Sequence, residues 1–363
     1  MRIYRSLLPA SWLYGMAVWV RNRLFDCGML KSRQFDIPVI CIGNLAVGGT
    51  GKTPHVEHLL RLLQERYRVA VLSRGYKRRT TGFVLANAHS TALDLGDEPM
   101  QLHSKFADVT VAVDENRCEG VEHLKNLGME VVVLDDAFQH RHIHPSLSIL
   151  LIEHDRLSGD RLLPAGRLRE PMDGIRRADI VVVTKCPSGM SEAEYAAAAR
   201  NLPLSTKQQL YFSQMEYLGL EPVFPEIAST ITTIHPDTSV LLVSGIANPL
   251  PIEAEVRRHS PHVTHLAWGD HHAFQTQDIK DINNTFASLP TPRILVTTEK
   301  DAARLKTTPG LSSEVMHHAF QLPIRVKWLQ GETNKFNQHI FHHISSFVGT
   351  NMDETEQSHS KHT

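Results

Sequence analysis

The chain has 363 residues, 42% hydrophobic and 21% charged, which is ordinary globular composition and enough for two domains with buried cores. Its formal net charge of −1 leaves no global basic field, so no nucleic-acid partner is expected. Four widely separated cysteines with no C-x-x-C pair argue against a disulfide framework and against a cysteine zinc site.

Leu7 to Phe25 is rich in Trp, Leu, Tyr and Val and is then broken by Arg21 and Arg23. It is too short and too charged for a spanning helix and lacks the small-residue cleavage site of a secretory signal. The pattern reads as an amphipathic helix, either an interfacial anchor with Trp12, Tyr14 and Trp19 at its edge or a helix packed on its own domain.

Val39 to Thr53 reads V-I-C-I-G-N-L-A-V-G-G-T-G-K-T, an apolar strand flowing into a glycine loop with a helical run after it (55–67). Gly48, Gly49 and Gly51 let backbone N–H groups turn inward around a phosphate chain. Lys52 would reach the β- and γ-phosphates and the Thr53 hydroxyl would meet Mg²⁺, with Ala46, Val47 and Thr50 completing the cradle. Ala46 takes the position where the usual pattern has its first glycine, and a residue this small is expected to keep the turn.

Further strands are expected at 69–72, 109–113, 131–134, 148–152 and 180–183, alternating with helical stretches such as 192–200. Ser73 to Arg79 places four cations in seven residues, either a solvated turn or an anion-binding loop. Asp97 in G-D-E-P is either a helix N-cap or a carboxylate aimed at a substrate hydroxyl. The strand 131–134 runs into Asp135 and Asp136, the form of an Mg²⁺-holding Walker-B element. Residues 210–220 read as a strand connecting domains. A second series of strands follows at 240–243, 263–267, 294–296 and 324–327, and a last helix over 333–347. The segment Trp268 to Phe274 could bring an imidazole to a cleft between domains.

The expected organisation is an N-terminal helix (1–30), a P-loop domain (31–208), a linker strand (209–222), a smaller α/β domain (223–350) and a disordered tail (351–363). The fold class is α/β, with two α/β/α domains, the first a P-loop NTPase-like, mostly parallel sheet.

Taken in order, G-N-L-A-V-G-G-T-G-K-T-P (43–54), S-R-G-Y (73–76), G-D-E-P (96–99), D-D-A-F-Q-H (135–140), L-P-A-G-R-L-R-E-P (163–171), D-H-H-A-F (270–274) and T-T-E-K-D-A (297–302) span nearly the whole chain. In this series the chain resembles the tetraacyldisaccharide 4′-kinases, the lipid A 4′-kinases of Gram-negative bacteria. Ala137 and Arg167 stand where many relatives have glycine and proline.

The resemblance implies a peripheral enzyme on the cytoplasmic face of the inner membrane, with two domains joined by a β-stranded linker. It would transfer the γ-phosphate of ATP, with Mg²⁺, to the 4′-hydroxyl of a tetraacyldisaccharide 1-phosphate, giving lipid IVA. It also implies that Asp97 takes the hydroxyl proton with His271 assisting, that Lys52 neutralises the phosphoryl charge, and that Thr53 with Asp135 or Asp136 holds the metal. Substrate-binding positions are Arg74, Tyr76, Glu98, Arg117, Gln139, His140 and Arg169. Because Asp97 and His271 fall in different domains, closure around the substrates is expected.

Two other classes compete. A nucleotide switch would use Thr184-Lys185 as a guanine-reading loop, but Pro187 replaces the required aspartate. A metallohydrolase would use Asp135, Asp136, Asp270 to His272, and His140, His142 and His144 on one face of a strand, yet gives Lys52 and the glycine loop no role.

Overall fold

Val, Ile and Leu fill nearly every position of 39–42, 131–134, 147–152 and 180–183, and such runs suit strands covered on both faces. The computed structural model describes residues 4–360 except 158, 230, 232 and 271. In its first part come α1 (Leu8–Asp26), β1 (Val39–Asn44), α2 (Lys52–Gln64), β2 (Val69–Ser73), β3 (Val84–Leu85), α3 (Ala92–Leu95) and α4 (Asp97–Lys105). There follow β4 (Thr110–Val113), α5 (Arg117–Asn126), β5 (Val131–Asp135), β6 (Leu147–Glu153), β7 (Ile180–Thr184), α6 (Glu192–Arg200) and β8 (Gln209–Tyr217). Then come β9 (Glu221–Pro222), β10 (Ser239–Ser244), α7 (Leu250–His259), β11 (Val263–Ala267), α8 (Thr276–Ser288) and β12 (Arg293–Thr297). The chain finishes with α9 (Glu299–Thr307), α10 (Ser313–His317), β13 (Ala319–Gln321), β14 (Ile324–Trp328) and α11 (Thr333–Ser360).

The chain divides into two compact units, Met1–Met215 with Val326–Thr363, and Glu216–Arg325. The first is built on a nine-stranded sheet in the order β14-β8-β7-β6-β1-β5-β2-β4-β3. β1 lies between β5 and β6, parallel to both, with Ile42 opposite Asp135. Alternate β1 residues feed two cores. Ile40 and Ile42 meet Val56, Leu59 and Leu60 of α2, Leu102 of α4 and Phe336 and Ile340 of α11, whereas Val39 and Cys41 share theirs with Val121 and Leu124 of α5. The second unit has a five-stranded sheet, β11-β10-β12-β13-β9, parallel except for β9.

The observed borders differ from the expected ones in one important way. β8 pairs in parallel with β7, Ile180 opposite Gln209, and β14 extends the same sheet. Thus the linker strand at 209–222 begins inside the first unit, and the strand and helix assigned to the end of the 223–350 domain return to it. Packing explains this: Trp328 stacks on Phe336 with ring centroids 4.0 Å apart, and both share a core with Tyr211 and α2. α11 also continues past Phe347 into the 351–363 segment. No proline stands there to end it, and Gly349 costs only about 1 kcal/mol within a helix.

The N-terminal helix packs on its own domain, as the second of its two readings expects. One face of α1 packs on the 161–170 loop: Ser11 Oγ donates to Leu162 O at 3.0 Å and Tyr14 OH to Arg169 O at 2.6 Å. Trp12, Leu13, Met16, Trp19 and Val20 stay exposed, Trp12 at 74%. Their spacing puts them along one side of the helix. Among the described residues no helix is long and apolar enough to cross a membrane.

Candidate functional site

The glycine loop joins the end of β1 to the start of α2. Gly48 (φ 108°) and Gly51 (φ 85°) occupy the left-handed region that glycine adopts without strain. A Cβ on Gly51 would stand 2.6 Å from Met215 Cε. Backbone and side-chain bonds hold the loop from outside. Asn44 Nδ2 donates to Thr50 Oγ1 at 2.7 Å, Thr184 Oγ1 to Thr50 O at 2.8 Å, and Val47 N to Arg167 O at 2.8 Å. Ala46, at the first position of the loop pattern, makes an antiparallel bridge to Leu168.

His55 braces the loop from below. Its Nδ1 lies 2.7 Å from Gly51 O and its Nε2 3.0 Å from Ser213 Oγ. A carbonyl only accepts, so Nδ1 carries the proton and Nε2 accepts from the serine. Burial pushes the His55 pKa down to about 4, which keeps the ring neutral at pH 7.

β5 delivers the two carboxylates. Asp135 is 4% exposed, and Asp136 adopts φ 51° as the chain turns away. Lys52 Nζ lies 3.5 Å from Asp136 Oδ1. Arg169 Nη1 reaches the same carboxylate at 3.1 and 3.0 Å and Gln139 Oε1 at 3.3 Å. Gln139 Nε2 in turn donates to Asn44 O at 2.7 Å and to Glu170 Oε1 at 3.0 Å. Lys52, Asp136, Gln139 and Arg169 are therefore in direct contact, beside the loop that Asn44 enters.

Arg117, at the start of α5, is buried. Burial lowers its pKa and the facing Arg74 guanidinium lowers it further, against the pull of Asp136, Asp135 and Asp114. His140 is pushed down to about 4, first by burial and then by Arg117, His142, Arg21 and Arg74. Arg74 and Arg117 thus share one electropositive neighbourhood with a neutral His140, and an anionic group would relieve the repulsion between the two guanidiniums.

Asp97 opens α4, but the N-cap is Gly96, so the capping reading of Asp97 is corrected. Asp97 and Glu98 both stand in the first turn, where the helix dipole favours negative charge. Two glycines dock the neighbouring loops: a Cβ on Gly96 would lie 2.9 Å from Tyr76 O, and one on Gly75 2.8 Å from Leu95 O. The S-R-G-Y and G-D-E-P motifs therefore lie against each other, with Tyr76 exposed. The basic run is only partly available. The Arg78 side chain is 2% exposed, paired with Glu115 at 2.6 Å and donating to Gly82 O at 2.7 Å, so it staples the loop.

In the second unit, Trp268 Nε1 donates to Asp278 Oδ1 at 2.9 Å and His272 Nε2 to Asp278 Oδ2 at 2.7 Å. The Trp268 and His272 rings stack with centroids 5.7 Å apart. Asp270 is exposed on this loop, and His271 lies outside the described residues. Asp301 of the T-T-E-K-D run is fully buried, accepting from Gly245 N at 2.9 Å and Thr298 Oγ1 at 2.8 Å and pairing with Arg304 at 2.9 Å. The H-R-H-I-H segment forms turns rather than one strand face, and His142 packs edge-on against Phe25, which removes the arrangement required for the hydrolase alternative.

Sequence reasoning passed over His55 and Glu57, and it named Thr184 and Glu170 only within a guanine-reading loop and the 163–171 motif. A histidine three residues after the glycine-loop lysine and a glutamate inside an otherwise apolar helix face were the available signals.

The family model for tetraacyldisaccharide-1-P 4′-kinase, LpxK, matches residues 3–345. A tetraacyldisaccharide 4′-kinase of Bacteroides thetaiotaomicron is 50% identical, covering 99% of this chain and 98% of its own. One from Parabacteroides distasonis is 49% identical over 95% of each chain. A crystal structure of LpxK from Aquifex aeolicus, in complex with ATP, superposes with a TM-score of 0.70 at 30% identity, covering 93% of this chain and 98% of that one.

Proposed function

The chain belongs to the tetraacyldisaccharide 4′-kinase family, and from that premise we propose how its residues divide the work. It is an ATP-dependent kinase that phosphorylates the 4′-hydroxyl of a tetraacyldisaccharide 1-phosphate in lipid A synthesis. The 4′-oxygen attacks the γ-phosphorus while the bond from that phosphorus to the β–γ bridging oxygen breaks, releasing ADP. The hydroxyl proton passes to Asp97, with His271 raising or orienting its basicity. Lys52 balances charge on the transferring group, and the N–H groups of residues 46–53 hold the nucleotide phosphates.

Thr53 and the carboxylates at the end of β5 form an all-oxygen donor set of the kind Mg²⁺ takes. Thr53 with one of Asp135 and Asp136 would hold the metal, Asp136 being the carboxylate that Lys52 and Arg169 also reach. Bound there, Mg²⁺ would neutralise the β- and γ-phosphate charge. Arg74, Arg117 and His140 would receive an anionic group of the substrate; Tyr76, Glu98, Gln139 and Arg169 would line its sugar. The exposed Trp12–Trp19 side of α1 would lie in the cytoplasmic face of the inner membrane and bring the lipid to the site.

The observation that carries this reading is the contact set of Lys52, Asp136, Arg169 and Gln139 against the glycine loop. Its test uses γ-labelled ATP, Mg²⁺, detergent and a tetraacyldisaccharide 1-phosphate, with the lipid omitted as control. Label in a bisphosphorylated lipid is the expected outcome. Label found only in inorganic phosphate, with or without lipid, would move the protein to the nucleotide-switch class.

A further inference from the structure

Glu57 lies on α2 and is buried, with 2% of its side chain exposed, outside the cluster that meets the nucleotide. It pairs with Arg61 on its own helix at 2.8 Å. Its other two partners both belong to α4: Lys105 Nζ at 2.6 Å and Gln101 Nε2 at 3.2 Å. α2 connects β1 to β2, and α4 is the element that leads into β4 after β3 and α3. β1, β2 and β4 are parallel through the sheet, and both helices feed the same core. They therefore run in the same direction, with their first turns at the strand ends that carry the glycine loop.

Residues four apart share a helix face. Thr53 and Glu57 lie on one face of α2; Asp97, Gln101 and Lys105 lie on one face of α4. The Glu57–Gln101 contact joins these two faces, so one turn nearer the nucleotide end the same faces present Thr53 and Asp97. Apolar contacts of Leu102 and Phe106 with α2 hold the helices together without fixing their register, because such burial is non-directional. A buried carboxylate bonded to two side chains of the neighbour is directional.

We infer that Glu57 is a positioning residue for phosphoryl transfer, its clasp on Gln101 and Lys105 setting the distance from the Asp97 carboxylate to the Thr53 end of the nucleotide cradle. The inference rests on the assignment of Asp97 as the base. Loss of the clasp leaves α4 free to shift against α2, and a displacement of about 1 Å at a reacting group costs up to about 100-fold in rate.

The test measures lipid phosphorylation by the full chain with γ-labelled ATP and dispersed tetraacyldisaccharide 1-phosphate. It compares Glu57→Gln, Lys105→Met, Asp97→Ala and the double variant Glu57→Gln/Asp97→Ala. Lys105 is 26% exposed, so Lys105→Met loosens the α4 half of the clasp even where Glu57→Gln folds poorly. Expected is a fall in kcat of about tenfold or more for Glu57→Gln, with the KM for ATP within about twofold. Because Glu57 acts through Asp97, the double variant should be no slower than Asp97→Ala alone. Wild-type kcat in a folded clasp variant, or losses that multiply in the double variant, would overturn the inference. Wild-type transfer by Asp97→Ala would remove the base assignment, and the inference with it.

Discussion

At the strand ends of the first unit, Lys52, Asp136 and Arg169 meet with 13%, 28% and 28% of their side chains open to solvent. At the strand ends of the second, Asp301 is completely buried and all its bonding goes to Gly245, Thr298 and Arg304. Both clusters follow parallel strands, and both consist of carboxylates with cationic partners. What separates them is unspent charge. The first keeps its cations partly open to solvent, with the exposed Arg74 beside the buried Arg117, the condition in which an added anion would be favoured. The second has satisfied every group it buried, which is the condition for holding a loop rather than a ligand.

Substitution should split the two clusters by readout. Lys52→Ala is expected to slow lipid phosphorylation by about 1000-fold with little change in thermal midpoint, since the lysine acts on transition-state charge. Asp301→Ala should do the reverse: removing one partner of a buried pair costs about 3 kcal/mol, read as a lower urea midpoint of the second unit. Equal loss of activity and equal loss of stability in both variants would erase the distinction.

His55 sharpens the comparison, because it is scaffolding placed directly under the reactive loop. Its pKa is about 4 in the folded chain and ordinary for histidine, about 6.5, when unfolded. The unfolded chain therefore binds the proton first as pH falls. Stability is complete above about pH 6.5 and declines toward pH 4, by on the order of 3 kcal/mol at most. Urea midpoints at pH 7 and pH 5 should show the decline, and His55→Gln should make it shallower, with the share of His140, which burial also holds at about 4, remaining.

The smallest expected effect concerns α1. Trp12→Ala with Trp19→Ala should weaken binding to anionic vesicles by about tenfold while leaving kcat on detergent-dispersed lipid near the wild-type value. Unchanged vesicle binding would remove the interfacial role from this helix face.

Much of the first unit was legible because its central strands are continuous apolar runs. Val69–Ser73, Val131–Asp135 and Ile180–Thr184 each fall within a residue of expectation. Val84–Leu85, Glu221–Pro222 and Ala319–Gln321 are too short to show any periodicity. The sheet to which Ile324–Trp328 belongs was not legible either, since it depends on Trp328 meeting Phe336 and Tyr211, a long-range choice. Within the site, the motifs marked the reactive residues but not their burial. Arg78 and Asp301 look as reactive in sequence as Arg74 and Asp136, and only their partners reveal them as fasteners.

The most direct measurement is single-turnover transfer from γ-labelled ATP to tetraacyldisaccharide 1-phosphate by Asp97→Ala, with ATP binding measured on the same preparation. Transfer slowed by about 100-fold or more, with ATP binding intact, is the predicted result. Transfer at the wild-type rate would contradict the account, placing the proton acceptor elsewhere and leaving the docked S-R-G-Y and G-D-E-P loops without a catalytic part.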